Sequence, residues 1–587
     1  MAVWMRTRNI KRQAQPELPV SRWTEPRWLR PALIGLAALF LMGLFSTAID
    51  DSDFWWHLKT GQYVFEHRTL PSPDPFSYTA YTGAPAYPGE DITRQFNLTH
   101  EWLAQVLWYA VYAAGCFPGV VLFRALLMAA LCGATGWLAA RRSGSFYGGL
   151  VAALAAASVA VWFAADRPAL LTFLLTGVFL LVLELRRGLW FLPLLSLVWA
   201  NLHGGFFLGW IVLGAYVAES LYQRLRGQPQ PGERRLWAVA LLSVAASFFN
   251  PNHWRVFEVV LSYRRSFLQS ALVEWKPPGL WRSPYMFDIL LYVCAAVLIL
   301  SWRKVRVNDW LLFAVFAAAA LLAFRNVMFF VILAPVLIVA YFPRKRNWPR
   351  LTGFVALALL AAGLCLGIAQ GRFFQLRAAE WQYPAGAAQF LKDHRVTAPL
   401  FNVYEHGGYL IWRLWPRERV FIDGRALNES VYQDYRRILY NIGSDPSVMT
   451  GPRTEALARY GIGAIVMDGF DYESGRLYPL AVALMNSTDS EWKLVYEDPQ
   501  AMVFLRHPAA GMQVLENAKV LENLESECMS HIERLPAECL CAKSLAGLLG
   551  RSRGGGSRGR WWLGVYLAHP HPPDPETESL YPKLFRQ

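Results

Sequence analysis

A chain of 587 residues that is 55% hydrophobic, 14% aromatic and only 17% charged is too apolar for an ordinary soluble multidomain protein. Its formal net charge of +14 sits largely in short arginine clusters between apolar segments, with no basic stripe interleaved with aromatics, which argues against nucleic acid as a partner. The class expected is a multi-spanning α-helical membrane protein, because arginines and lysines retained in loops on one side are the signature of cytoplasmic connectors.

In chain order, residues 1–31 form a basic tail carrying Arg6, Arg8, Lys11, Arg12, Arg22, Arg27 and Arg30. The first apolar run, 32–49, ends in Ser46-Thr47-Ala48, which resembles a cleavage site. The preceding basic region is long, and the run exceeds a signal-peptide core, so a retained anchor is expected. Further spans are read near 119–140, 146–165, 168–185, 189–203, 204–222, 236–250, 286–302, 310–324, 326–342 and 351–369. A full crossing takes roughly 20 apolar residues, so the shorter runs need thinned lipid or neighbouring helices.

Residues 101–115 are apolar enough to count as a further span. Counting them would place Arg141/Arg142, Arg186/Arg187, Arg224/Arg226/Arg234/Arg235, Arg303/Lys304/Arg306 and Arg344/Lys345/Arg346 opposite the basic tail. A helix lying in or dipping into the outer leaflet satisfies every loop. The expected topology is therefore about eleven spans, with a cytoplasmic N-terminus and an extracytoplasmic C-terminus. Residues 32–370 form the transmembrane domain and 50–118 its first outer loop.

Beyond Ala369, from 380 to 508, amphipathic runs alternate with β-type runs (APLFNV, RVFID, IGAIVMD, WKLVYE, AMVFLR), which predicts an extracytoplasmic α/β domain with a largely parallel sheet. A helical pair is expected over 509–550, and a disordered tail over 551–587 from its Gly/Arg- and Pro/His-rich composition. Of seven cysteines, Cys528, Cys539 and Cys541 fall outside, where a disulfide is allowed.

This topology gathers Asp50, Asp51, Asp53, His57, His100, Glu101, Asp166, Arg167, Asn201, His203, Glu274 and Arg325 on the outer side. Each has a plain structural reading. Asp51 or Ser52 can cap a helix, Trp55 and Trp56 can join an interfacial belt, Asp166 and Arg167 can neutralise each other, and Arg325 can snorkel to headgroups. Their common side is the argument for chemistry, since solvated charges do not segregate from basic loops by chance. A lipid-phosphate-linked donor places its phosphate at headgroup level. Arg, His or a metal held by Asp then stabilises the departing phosphate, and a separate Asp polarises an acceptor nucleophile.

The arrangement resembles the membrane-embedded glycosyltransferases of the GT-C class, which include oligosaccharyltransferases and polyprenyl-phosphate-sugar-dependent mannosyl- and arabinosyltransferases. The resemblance rests on Asp51-Ser52-Asp53 after the first span and on an outer-leaflet helix before a second span bearing Arg124. Asp166 after the third span and a soluble domain after the last complete it. The run NVYEHGGYLIWRLWPRERVFIDGR is similar in layout to the tryptophan-tryptophan-aspartate-tyrosine-glycine segment of oligosaccharyltransferase catalytic subunits, although those tryptophans and that aspartate are absent. A tight Gly-Gly turn before a helix is its plain structural reading.

The resemblance implies a glycosyltransferase with a polyprenyl-phosphate sugar donor. Asp51 or Asp53 would be base or metal ligand, and Asp166 the second acidic ligand, for a divalent cation such as magnesium or manganese at Asp53 and Asp166. His57 and Glu101 join the catalytic group. Arg325, His203 and Arg167 would contact the donor phosphate, and Glu405, His406, Tyr409, Asp423 and Arg425 the acceptor. The partners expected are a lipid-linked donor and membrane lipids, in a plasma (inner) membrane. A transporter or flippase of a lipid-linked sugar would show internal repeats and midplane charges. A non-catalytic envelope scaffold would tolerate loss of Asp51, Asp53 and Asp166.

Overall fold

The computed structural model describes residues 25–571 except 264, 269–272, 280–285, 343–347, 350, 442–453, 472–475, 487–490, 499, 537–538 and 551–555. The membrane part contains α1 (Leu29–Leu44), α2 (Phe54–His67), α3 (Glu90–Thr99), α4 (Trp102–Ser143), α5 (Phe146–Ala160), α6 (Ala169–Leu185) and α7 (Phe191–Leu202). It continues with α8 (Phe207–Leu225), α9 (Glu233–Ser247), α10 (Val256–Tyr263), α11 (Phe287–Leu300), α12 (Val307–Leu322), α13 (Val327–Tyr341) and α14 (Thr352–Ala369). Each expected span overlaps one of these helices. By length and composition, five helical runs among the described residues are long and apolar enough to cross a membrane: Glu90–Ser143, Phe146–Phe163, Gly204–Leu225, Phe324–Tyr341 and Thr352–Ala369. Leu29–Leu44, Ala169–Leu185, Phe191–Leu202, Phe287–Leu300 and Val307–Leu322 are shorter apolar helices.

The segment 101–115 opens α4, and its helical backbone fails at Cys116 (φ 51°, ψ −153°), two residues before Pro118. Proline has no N–H to continue the hydrogen-bond ladder, so the chain turns there. The apolar run thereby divides at the place where the charge pattern asks for a division.

At one end of the bundle the basic connectors meet acids. Arg142 grips Asp309 (2.5 and 3.1 Å), Arg306 grips Glu184 (2.8 and 3.1 Å) and the Tyr341 hydroxyl donates to Asp309. This network ties α4, α6, α12 and α13. At the other end Arg124 is sealed against Asp166, with 1% and 0% of the two side chains exposed, and Arg124 also donates to the Phe45 carbonyl (3.1 Å) and to Thr47.

The C-terminal part docks on that second end. It comprises α15 (Ala385–Asp393), β1 (Leu400–Asn402), α16 (Gly407–Leu414), α17 (Glu429–Leu439), α18 (Thr454–Arg459), β2 (Ala464–Met467), β3 (Phe470–Asp471), β4 (Arg476–Leu477), α19 (Pro479–Asn486), β5 (Lys493–Asp498) and β6 (Ala501–Leu505). Its main sheet has the order β1-β2-β6-β5. The expected largely parallel sheet is corrected: only β1 and β2 pair parallel, whereas β6 is antiparallel to both β2 and β5. The link between β5 and β6 is too short for a crossover and forces a hairpin.

The RVFID run is not a sheet strand either. Val420 makes an isolated parallel bridge with Ser77, and the Ser77 hydroxyl donates to the Phe421 carbonyl (3.2 Å), so this run seals the first outer loop to the C-terminal part. Three helices follow: α20 (Asn517–Arg534), α21 (Leu540–Gly550) and α22 (Gly556–Ala568). A disulfide, Cys528–Cys541, joins the first two. The disorder expected from 551 onward is corrected over 556–568. Trp562 and Tyr566 there are 2% and 1% exposed in the same apolar cluster as Cys528 and Cys541, and that burial outweighs the glycine content. The remainder of that tail falls outside the described residues, except 569–571.

Candidate active site

A cavity of about 210 Å³ opens where the first outer loop, the α5–α6 and α7–α8 junctions and the C-terminal part converge. Asp53, His57, Glu101, Arg167, His203, Arg325 and Arg425 all line it. Asp51 stands immediately behind, at the start of the turn into α2, and accepts the Asp53 backbone N–H (3.0 Å).

Arg167 organises the acids. It takes Asp51 bidentately (2.5 and 2.8 Å), reaches Asp53 at 3.1 Å and meets Glu274 at 3.5 Å. The adjacent acid and base of the α5–α6 junction therefore do not neutralise each other: Asp166 goes to Arg124 and Arg167 to the Asp51/Asp53 pair. Burial works against ionisation of Asp51, but the Arg167 charge and its hydrogen bonds hold its carboxyl below the usual range. Burial pushes Asp53 up to about 6 despite Arg167, and the neighbouring Asp51 charge adds to the rise. Burial also lifts Asp166 to about 7 against the pull of Arg124.

Glu101 is ringed by three imidazoles: His100 Nε2 at 3.1 Å, His203 Nε2 at 3.5 Å and His57 Nδ1 at 3.6 Å. The Gly205 N–H donates to His203 Nδ1 (3.0 Å), which fixes the proton on Nε2, facing Glu101. His100 Nδ1 donates to the Phe96 carbonyl (2.8 Å), so both of its ring nitrogens face acceptors. Burial holds His57 down to about 4 although Glu101 opposes this, so at neutral pH it is an uncharged imidazole beside Gln105.

Arg325 occupies the three-residue turn Phe324–Asn326 between α12 and α13. Its guanidinium lies 4.5 Å over the Trp275 ring, and among the described residues it has no carboxylate partner. Among the described residues that line the cavity, Arg325 is thus the cation whose charge is not already spent on an acid.

The predicted acceptor residues separate. Arg425 and Asp423 form a buried triad with Asp74: Arg425 grips Asp423 (2.6 and 2.8 Å) and Asp74 (2.7 and 3.2 Å). His406 turns away to Asp468 (3.1 Å), and Tyr409 is fully buried, its ring stacked on Tyr383 at 5.2 Å. Glu405 is exposed and does not line the cavity. Tyr404, one residue before it, does, and donates to the Gly424 carbonyl (2.8 Å).

The Gly-Gly turn has a steric cause. A Cβ at Gly408 would lie 2.6 Å from the Ser52 carbonyl, so only glycine lets α16 sit against the acidic turn. At Gly424 a Cβ would fall 1.8 Å from Asp53 Oδ1, so a side chain there would displace the Asp53 carboxylate.

The donor set expected for a divalent cation does not fit this arrangement. Asp166 is closed off by Arg124 and Asp53 faces Arg167, so guanidiniums stand where a metal would. Among the described residues no cluster of three or more His, Cys, Asp or Glu is arranged to hold an ion.

Sequence reasoning passed over Asp74, Tyr404 and the pairing of Arg124. For Arg124 a signal existed, because an arginine within an apolar run calls for a buried acid. Nothing in the spacing announces Asp74.

No family model matches the chain, and no curated relative matches its sequence. Solved structures do match. The archaeal oligosaccharyltransferase AglB from Archaeoglobus fulgidus, in complex with an inhibitory peptide and a dolichol-phosphate, aligns with a TM-score of 0.51 at 10% identity, over 93% of this chain and 86% of that one. The apo form of the Archaeoglobus fulgidus oligosaccharyltransferase aligns with the same TM-score and coverage at 9% identity. The fold is GT-C-like. In this chain the cavity lies between the acidic turn after α1 and the C-terminal part that follows α14.

Proposed function

We propose that the protein is a glycosyltransferase that moves a sugar from a polyprenyl-phosphate-linked donor to an extracytoplasmic glycan, lipid or protein in a plasma membrane, with its N-terminus cytoplasmic and its C-terminus outside. One observation carries this reading. The same cavity holds a carboxylate poised near neutrality, Asp53, and an arginine without an acidic partner among the described residues, Arg325. The match to a structure containing dolichol-phosphate supports the donor class.

In this reading Asp53 takes the acceptor proton as the acceptor atom bonds to the sugar carbon. The carbon–oxygen bond to the lipid phosphate breaks, and Arg325 receives the charge that gathers on the departing phosphate. Arg167 keeps Asp51 ionised and positions Asp53. Glu101 orients His100 and His203 at the cavity wall. No step passes through a metal.

The test is transfer from a defined polyprenyl-phosphate sugar in proteoliposomes. Loss of transfer in Asp53→Asn and in Arg325→Gln, with insertion and thermal unfolding unchanged, is the expected result. Wild-type turnover in both variants would remove the proposal.

A further inference from the structure

A second cavity, of about 90 Å³, lies at the opposite end of the bundle and is lined by Leu183, Arg186, Leu189, Tyr216, Arg235 and Leu236 with the Pro231–Gly232 turn. Helix α6 reaches from one cavity to the other. Ala169 at its start lines the first and Leu183 near its end lines the second, about 20 Å apart along the axis.

Its chemistry is two cations over an apolar floor. Arg186 is held at the mouth by the Pro231 carbonyl (3.0 Å) and by Gln230, both neutral groups. Arg235 lies 5.7 Å over the Trp190 ring. Neither has a carboxylate partner among the described residues. The acids nearest this mouth in sequence, Glu184 and Glu233, are taken by Arg306 and Arg224. The surface beside the cavity is apolar and open, with Trp190, Phe191 and Leu194 at 53%, 66% and 56% exposed. Two unneutralised guanidiniums bordering an apolar surface at a helix end match an anion that carries hydrocarbon.

We propose that this cavity binds the phosphate headgroup of an anionic phospholipid, with Arg186 and Arg235 on the phosphate and acyl chains along Trp190, Phe191 and Leu194. The site stands independently of the transferase reading, since it shares no residue with the first cavity.

The experiment is native mass spectrometry of the purified full-length protein in neutral detergent, titrated with phosphatidylglycerol, phosphatidylcholine or inorganic phosphate. Saturable retention of phosphatidylglycerol is expected, with no retention of phosphatidylcholine and no displacement by inorganic phosphate. Removing each charge should weaken retention about fivefold, so R186Q/R235Q should lose about 25-fold. R186K/R235K, which keeps both charges, should retain the lipid. R303Q/K304Q, which removes two charges from another connector at this end, should bind as wild type. Equal retention in R186Q/R235Q, an equal loss in R303Q/K304Q or in R186K/R235K, or displacement by inorganic phosphate would each overturn the site.

Discussion

Asp51 and Asp53 stand two residues apart on one turn and share one guanidinium, yet the sharing is unequal. Arg167 gives Asp51 two hydrogen bonds and Asp53 a single 3.1 Å contact, and this leaves Asp53 as the group able to exchange a proton near neutrality. Asp53→Asn is therefore expected to lower transfer about 10²–10⁴-fold with little change in folding. Asp51→Asn should act differently: it leaves Arg167 half-paired and lowers the melting temperature as well as turnover. A base must be deprotonated to work, so the rate should rise with pH and level off above about 6, falling about tenfold per unit below it. A rate that is flat from pH 5 to 8 would disprove that role. At Gly424 even one added methyl collides with Asp53, so Gly424→Ala should depress turnover while a nearby Ala426→Gly does not. The charged residues of this site were legible from the sequence because they fell on one side of the basic connectors. Their division of labour was not, since Asp51 and Asp53 are chemically identical until Arg167, 116 residues away, chooses between them.

At the scale of elements, the Arg124–Asp166 pair fastens the middle of the longest helix to the α5–α6 junction. Replacing one member of such a buried pair leaves the other charge uncompensated, which costs about 3–5 kcal/mol. Arg124→Met alone should thus lower thermal stability sharply, and Arg124→Met combined with Asp166→Leu should recover most of it. If the double variant recovers activity too, Asp166 is a structural acid; if it is stable and inactive, Asp166 takes part in the reaction. The helices were readable because apolar length is a local property of the chain. The sheet was read less well: short apolar runs such as RVFID carry β propensity but not a partner, and Val420 found Ser77 rather than a neighbouring strand.

Across the whole molecule, the Asp74–Arg425–Asp423 triad is the clasp between the membrane part and the C-terminal part, and Arg425 also packs 5.7 Å from Trp56 at the cavity wall. Arg425→Met would leave two buried carboxylates facing each other. Limited proteolysis should then release the C-terminal part faster, with transfer lost in parallel; unchanged proteolysis would show that the clasp is not needed for docking. The sequence by itself determined the apolar helices and the grouping of the basic connectors between them, because hydrophobic length and connector charge are local properties of the chain. Only the tertiary structure decided which acid meets which guanidinium, and that among the described residues Arg325, unlike Arg167, is left without one. Ion pairing in a buried site depends on distances of a few ångströms between groups far apart in the chain, and no spacing along the chain encodes them.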